Sequence, residues 1–286
     1  MTRWLVLWGA YLMACYAHGQ DNVIAPTIAK GKKGSVYITW GYNRAYYGKS
    51  DVHLRGEHFD FTIHDARAED MPEPFDPEVY FSFNQLTIPQ FNFRVGYYFN
   101  ENTAFTMGWD HMKYRLITTQ LVRISGEIDP DHYNLSGFTG TFDHTPIIYQ
   151  PKFMDYHHSD GFNFIRAGIE RRLPLTSFWG EKVELVMVGG ASAGLMLPWT
   201  DFTFFGVHHR NKLHLAGYAG SVNAGFRAEF LKWFFIQVNA QAGWANMPDI
   251  VLEDHLPSRA SQQISFFERS WALGGYIPIQ SLFKKQ

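Results

Sequence analysis

The chain has 286 residues, of which 46% are hydrophobic, 17% aromatic and 18% charged, with a formal net charge of −2. This length suffices for one large barrel or two small domains. A charge balance this close to neutral gives no sign of a nucleic-acid partner, and the charged fraction lies below the roughly 25% of ordinary soluble domains.

The N-terminal segment has the features of a secretory signal peptide. Arg3 precedes an apolar run over 4–16, and small residues follow. The run is too short to span a membrane as a helix, and the pattern predicts cleavage after Gly19. Lipidation of Cys15 is the alternative, because residues 12–15 resemble a lipobox. We therefore expect a signal peptide over 1–19, a periplasmic lead-in over 20–34, a single barrel over 35–278 and a periplasmic tail over 279–286.

Alternation of apolar and polar residues predicts β-strands along the rest of the chain. Successive side chains of a strand point to opposite faces of a sheet, so a period of two indicates strands. The hairpin over 213–245 is the clearest case, with Phe226 and Val238 on the apolar face and Arg227 and Gln237 on the polar face. In chain order, strands are expected at 35–47, 90–99, 103–116, 160–173 and 183–197, twice within 213–245, and at 263–277.

The connections between these strands alternate in length. Short turns are expected at 100–102, 174–182 and 231–233. Long loops are expected at 48–89, 117–159, 199–212 and 246–262, and the alternating sequence HFDFTIHD in the first of them suggests a hairpin extended above the membrane. An even number of antiparallel strands with short periplasmic turns and long extracellular loops is typical of outer-membrane β-barrels. The sequence thus predicts an all-β, eight-stranded antiparallel transmembrane β-barrel.

A soluble, lipocalin-like barrel also has eight alternating strands, but its apolar face lies inside. Two features favour the membrane barrel. The polar face carries mainly Asn, Gln, Gly, Ser and Thr, unlike a solvated surface rich in Lys and Glu. Aromatic residues also lie near the strand ends, as in membrane-interface belts.

The interior of an eight-stranded barrel is just wide enough to be filled by side chains. Charges confined there should pair, because unpaired buried charge is costly. We therefore expect a plugged, salt-bridged lumen, with a proton or ion path as the alternative, since a diffusion pore needs about 16 strands. The predicted lumen charges are Arg94, Asp110, Arg166, Glu170, Arg172, Glu184, Arg227, Glu229 and Glu268.

Four cations fall on the apolar face near the long-loop ends of the strands: Arg44, Lys113, Arg115 and Arg269. Guanidinium and ammonium groups bind phosphates readily, so these side chains could contact lipopolysaccharide, or extend to the interface. The expected partners are outer-membrane lipid, lipopolysaccharide and possibly other envelope proteins. No cofactor is expected, and no metal site, because no histidine pair has zinc-finger or HExxH spacing.

The segment 155–161 at the start of the fourth strand holds His157 and Ser159 on the apolar-face parity. A histidine base beside a serine nucleophile could cleave an acyl ester. This His-x-Ser spacing resembles that of the outer-membrane lipid A deacylases, which are eight-stranded barrels with such a pair assisted by a carboxylate. The match covers three positions, and it departs from the family at the carboxylate, because Glu170 points inward.

Four stretches, ITWGYNRAYYGKSDVH, HDARAED, IPQFNFRVGYYFNENTAFTMGWDHMKY and HHSDGFNFI, resemble small outer-membrane barrel proteins of Bacteroidota-type bacteria. The resemblance spans about half of the chain and implies a barrel in the outer membrane of a Gram-negative bacterium, with no particular activity. We expect an envelope structural or surface-binding protein that acts through its extracellular loops, where binding usually resides on a rigid scaffold. The alternatives are lipid A or phospholipid acyl hydrolysis by His157 and Ser159, and transport of small solutes.

Overall fold

The computed structural model describes residues 32–82, 84–85, 88–211, 213–253 and 257–279. The predicted signal peptide, Cys15, the lead-in up to residue 31 and the tail from residue 280 lie outside the described residues. No helix within the described ranges is long and apolar enough to cross a membrane.

Strands dominate the described part of the chain. They are β1 (Ser35–Tyr47), β2 (Ser50–Gly56), β3 (Phe59–Ala66), β4 (Ala68–Glu69), β5 (Phe91–Tyr98), β6 (Thr103–Leu116), β7 (Leu121–Ile128), β8 (Gly140–Ile148), β9 (Met154–Phe178), β10 (Val183–Pro198), β11 (Asp201–Phe204), β12 (Val207–Arg210), β13 (Gly217–Phe230), β14 (Phe234–Val251) and β15 (Arg259–Pro278). A short helix, α1 (Pro77–Phe81), lies between β4 and β5.

Eight of these strands form a closed antiparallel barrel. They pair in the order β1-β5-β6-β9-β10-β13-β14-β15, and β15 pairs again with β1. The closing register runs from Ser35 opposite Pro278 to Tyr47 opposite Phe266. The predicted all-β, eight-stranded antiparallel barrel is confirmed.

Two predicted strands match the structure in both bounds, and others are longer than predicted. β1 and β6 coincide with 35–47 and 103–116. β9 extends well beyond the predicted 160–173, because it pairs with β11 above the barrel and with β10 down to Phe178. The predicted turn over 174–182 therefore shortens to 179–182. The predicted loop 246–262 likewise shortens, since β14 and β15 remain paired as far as Val251 and Arg259.

The turn between β13 and β14 is as tight as predicted. Leu231 and Lys232 have φ angles of 51° and 68°. Two successive positive φ angles are those of a type I′ turn, whose twist matches the right-handed twist of the flanking strands. The Trp233 N–H closes the turn on the Phe230 carbonyl at 3.0 Å.

The outer wall of the barrel is apolar. Large hydrophobic side chains remain exposed on every barrel strand, and they include Ile38, Tyr97, Phe105, Met107, Ile169, Met187, Val222, Phe226, Ile236, Val238, Trp271, Leu273 and Ile277. The opposite residues of the same strands, such as Asp110, Arg227 and Glu268, are buried inside. This arrangement is the reverse of a lipocalin-like barrel and is that of an outer-membrane barrel, whose apolar band faces lipid. The chain is an outer-membrane protein.

The long loops fold into a second layer above the barrel, which we call the cap. It comprises β2, β3, β4, β7, β8, β11, β12 and α1, with the upper ends of β9, β14 and β15. The upper end of β15 pairs with β2, and the sheet continues through β3, β7 and β8. The alternating stretch HFDFTIHD supplies β3, which pairs with β2. The hairpin of β11 and β12 joins the upper end of β9.

A hydrophobic core holds the cap together. Phe61, Phe153 and Phe204 are at most 2% exposed, and their ring centroids lie 5.8 Å apart in each pair. The same cluster extends down to Phe162, Phe164 and Phe266 at the mouth of the barrel. The cap therefore packs directly on the upper end of the lumen.

Candidate functional site

The lumen is closed at its periplasmic end by aromatic side chains. Tyr37, Tyr98, Phe235 and Tyr276 form a cluster of buried rings there. Gly96 and Gly274 make room for it, since a Cβ atom would lie 2.1 Å from the Tyr37 ring in the first case and 2.4 Å from the Phe235 ring in the second. Small residues on the lumen face thus let large rings span the barrel.

Charged side chains surround this aromatic cluster and lie close enough to pair. The Arg227 guanidinium is 2.8 Å from Glu170 and lies 4.3 Å from the centre of the Phe235 ring. Arg172 contacts Glu184 at 2.6 Å and Glu229 at 2.9 Å. Lys32 at the start of the described chain adds a third cation, 3.0 Å from Glu229.

A second group of charges lies higher in the lumen. Asp110 is fully buried and contacts Arg94 and Arg166, the latter at 3.4 Å. The Asn92 amide links this group to Glu268, whose carboxylate accepts its hydrogen bond at 2.8 Å. The nine residues expected in the lumen thus lie in two clusters, in which eight of them form ion pairs and Glu268 is held through Asn92.

Little space remains between these side chains. The cavity among Tyr37, Arg94, Arg166, Glu170 and Arg227 has a volume of about 40 Å³. This is room for a few water molecules. Side chains thus fill most of the space between the two clusters of charge.

The four outward cations have different surroundings. Lys113 lies 3.5 Å from Glu73, and Arg115 lies 3.2 Å from Asp155. Arg44 and Arg269 are directly opposite each other on β1 and β15. In the described part of the chain neither of these two arginines makes an ion pair.

His157 and Ser159 lie at the base of the cap, with different neighbours. The Nδ1 and Nε2 atoms of His157 each lie 3.6 Å from a carboxylate oxygen, on Asp155 and Asp201 respectively. Ser159 borders a separate surface cavity with His111 and Lys113. Among the described residues no hydrogen bond joins His157 to Ser159. Proximity to His157, and then to Arg115, holds the pKa of Asp155 below its ordinary value.

His158 next to them has a structural environment. Its ring is fully buried, and its Nδ1 atom lies 3.1 Å from the Thr200 hydroxyl. Burial, with a smaller contribution from the neighbouring His157, lowers its pKa from 6.5 to about 3. The imidazole is therefore neutral at physiological pH and packs as a ring against Tyr114 and Phe162.

The cap contains a cavity of about 330 Å³. Its floor consists of the buried rings of Phe59, Phe202 and Phe204. Polar groups stand on its rim: the rings of His58 and His132 stack with centroids 3.8 Å apart, and further round lie Tyr133, His209 and Glu253.

The rim groups of this cavity are held by acidic partners. His58 lies 3.4 Å from Asp129, and His209 lies 2.8 Å from Glu253. Burial raises the pKa of the Tyr133 hydroxyl, and the charge of Glu253 adds to this effect. The hydroxyl therefore stays protonated and can donate a hydrogen bond. An aromatic floor with a few convergent polar groups, in a volume of roughly 300–1,000 Å³, is typical of small-molecule sites.

This cavity is not evident from the sequence. Its walls combine β3, the hairpin of β11 and β12, and the segment around Tyr133, which belong to three different loops, and only β3 is predicted as an alternating segment. The signal was present in the residues 202–209, FTFFGVHH, where a tight turn joins two short alternating runs. No group of three or more His, Cys, Asp and Glu side chains in the described ranges is arranged to hold a metal ion.

No family model and no curated protein matches the chain. Several solved outer-membrane proteins align with the chain at low similarity. OprG from Pseudomonas aeruginosa aligns with a TM-score of 0.39 at 9% identity over 88% of this chain and 99% of its own. Ail of Yersinia pestis aligns at 0.29 and 12% identity over 85% and 99%. The outer-membrane enzyme PagL aligns at 0.19 and 9% identity over 82% and 97%. The strand pairings described above, rather than these likenesses, establish the barrel.

Proposed function

We propose that the protein is a non-enzymatic outer-membrane barrel that binds saccharides at the cell surface through the cap cavity. The observation that carries the proposal is the cavity itself: an aromatic floor beneath a rim of imidazole, phenol and carboxylate groups. It belongs to a folded layer with its own hydrophobic core, above a lumen filled with paired charges. Binding at the cap is thus better supported than passage through the barrel.

A saccharide fits this cavity for two chemical reasons. A sugar ring presents C–H groups on one face, which pack on aromatic rings such as those of Phe59 and Phe204. Its hydroxyl groups donate to carboxylates and accept from the Tyr133 hydroxyl or an imidazole N–H. The stacked ring of His132 stands at the rim, where it can cover a bound sugar.

A glycan array probed with the purified, fluorescently labelled protein in detergent tests this proposal. The variants are His132→Ala, at the rim, and His144→Ala as the matched control. His144 also stacks on a histidine, His64 at 4.8 Å, but elsewhere on the cap. We expect a subset of neutral oligosaccharides to bind the wild type and His144→Ala, and to bind His132→Ala roughly tenfold more weakly, as for one lost polar contact. Retention of no glycan, or equal retention by both variants, would refute the proposal.

We also propose an envelope setting for this activity. The N-terminal signal pattern supports export, with cleavage after Gly19 or lipidation at Cys15. The local sequence resemblances support an origin in a Bacteroidota-type bacterium. The outward arginines Arg44 and Arg269 support contact with lipopolysaccharide phosphates, because guanidinium groups bind phosphate in paired hydrogen bonds.

Acyl hydrolysis by His157 and Ser159 is the alternative. Its weakness is geometric: both ring nitrogens of His157 face carboxylates, so neither is directed at the Ser159 hydroxyl as a general base must be. Mass spectrometry of lipid A and phospholipids from cells with the wild-type protein or Ser159→Ala distinguishes the two functions. We expect identical lipid profiles, whereas an acyl chain lost only in the presence of Ser159 would establish the hydrolase.

A further inference from the structure

The outer wall of the barrel carries a groove beside the unpaired arginines. Its volume is about 790 Å³, and its lining is mostly apolar. Arg44, Arg269, Ala240 and Ala224 lie on one row across β1, β15, β14 and β13. The row below consists of larger side chains: Tyr42, Trp271, Val238, Phe226 and Met187. A shelf is thereby formed, with small residues above bulky ones.

The cap encloses one side of this groove. The segment before and within α1 lies against the outside of the barrel, where the ring of Tyr80 packs on Tyr42 at 5.0 Å and is itself buried. Phe75 packs on Tyr80 at 5.3 Å and remains 71% exposed. An exposed phenylalanine on the lipid side of the wall suits contact with acyl chains better than contact with water.

The two arginines lie towards the cap end of β1, since Arg44 is three residues before the last residue of that strand. Tyr46 and Phe267 form the next outward pair above them. Like charges directly opposite each other destabilise an antiparallel pair. Arg44 donates hydrogen bonds to the Asn43 carbonyl at 2.8 Å and the Tyr80 hydroxyl at 3.3 Å, and Arg269 lies over the ring of Tyr46. Neither finds an acidic partner among the described residues.

Asp70, an acidic residue near Arg44, is held by other polar groups. Asp70 acts electrostatically on Arg44. However, its carboxylate accepts hydrogen bonds from the Gln90 amide and the Ala45 N–H. Asp70 thus offsets part of the charge of Arg44 but forms no ion pair with either arginine, and a phosphate with several acceptor oxygens can accept from both guanidinium groups.

We infer that this groove binds one molecule of lipid A, the phosphorylated and acylated anchor of lipopolysaccharide. Its phosphate would lie between Arg44 and Arg269, and an acyl chain would lie along the shelf beside Trp271 and Phe75. The arginines lie at the cap end of the groove, so the proposed phosphate position is towards the outer leaflet, and the shelf extends from there towards the short turns. The inference deepens the proposed contact with lipopolysaccharide and is independent of the cap cavity.

Native mass spectrometry of the purified protein in detergent tests the inference with four probes: bisphosphorylated lipid A, dephosphorylated lipid A, phosphatidylglycerol and phosphatidylcholine. We expect the wild type to retain one bisphosphorylated lipid A in preference to the other three. Removal of each arginine should weaken this binding roughly tenfold, as expected for charge-assisted hydrogen bonds. The double variant Arg44→Ala/Arg269→Ala should therefore lose about two orders of magnitude.

Two further variants separate the site from general effects of charge and folding. Ala240→Trp fills the shelf and keeps both arginines, so it should also abolish retention. Arg171→Ala removes an exposed outward arginine at the periplasmic end of β9, opposite Thr103, and should bind as the wild type does. Circular dichroism shows whether each variant is folded.

Several outcomes would overturn the inference. These are equal retention of dephosphorylated lipid A, equal retention of phosphatidylglycerol, and unchanged binding by the folded double variant. The double variant should bind the glycan array as the wild type does, and His132→Ala should retain lipid A. Failure of the lipid site and failure of the cap cavity are therefore distinguishable.

Discussion

Replacing Phe204 by alanine should open the cap and leave the barrel folded. The Phe204 side chain is 2% exposed, and its ring centroid lies within 6 Å of those of six other aromatic residues in the cap. The rings come from three loops, and they include Phe59, Phe153 and Tyr133. Truncation of a buried phenylalanine to alanine costs about 3–5 kcal/mol, because it removes apolar contacts and leaves a cavity.

Hydrogen exchange of backbone amides measures this cost locally. If the cap opens as a unit, a loss of about 3–5 kcal/mol speeds exchange roughly 100- to 4,000-fold in β2, β3, β7 and β11. Amides of β13 and β14 in the barrel wall should keep their protection. Phe105→Ala is the matched control, since Phe105 is 45% exposed on the outer wall and its loss should leave cap exchange unchanged. Unchanged exchange in the Phe204→Ala cap would refute the description of a packed cap, and loss of protection in β13 and β14 would refute its independence from the barrel.

Two other predictions concern buried titratable side chains. In the first, the buried neutral His158 should make the cap less stable in acid. Its pKa is about 3 in the folded protein and 6.5 in the unfolded chain. The stability that comes from the neutral ring is therefore present above pH 6.5 and is lost progressively as the pH falls towards 3. Hydrogen exchange of the cap amides, measured from pH 7 to pH 4, should show this loss of stability in the wild type and a smaller loss in His158→Gln. An identical pH dependence of the two proteins would contradict the assignment of a buried, neutral His158. In the second, Arg227→Met leaves Glu170 buried without its partner and should cost about 3–5 kcal/mol in detergent unfolding, and Arg227→Met/Glu170→Gln should recover most of the loss. A double variant no more stable than the single one would show that the pair is not coupled.

The barrel could be predicted from the sequence because the residues of each wall strand alternate between a lipid-facing and a lumen-facing environment. A strand such as β13 alternates between lipid and lumen at every residue, so Phe226 and Arg227 reveal their faces without knowledge of the neighbours. The ends of the strands were less predictable. Pairing of β9 with β11 extends it to Met154, and this depends on a partner in a different loop.

The cap and its cavity were not predictable in the same way. β3 pairs with β7, and β2 pairs with the upper end of β15, so the sheet is built from segments far apart in the chain. The cavity rim likewise combines His58, His132 and His209, each from a different loop. Single histidines in loops look alike in a sequence, and only the tertiary pairing distinguishes those beside the cavity from those, such as His144, on the open surface.

The same holds for the outward cations. Arg44, Lys113, Arg115 and Arg269 are equivalent by strand parity and by nearness to the loops. The cap divides them, because it supplies Glu73 to Lys113 and Asp155 to Arg115, whereas neither of the other two makes an ion pair with the described residues. The acidic residues that make this difference lie 40 positions from their partners in the chain.

Single-channel recording in a planar lipid bilayer tests most directly the central claim that the lumen is filled and that the protein acts at its outer surface. The paired charges of Asp110, Glu170 and Glu229, together with the aromatic cluster below them, predict no conductance above that of the unmodified bilayer. A stable, reproducible channel formed by the folded wild-type protein would contradict the account and would indicate that the protein acts through the interior of the barrel.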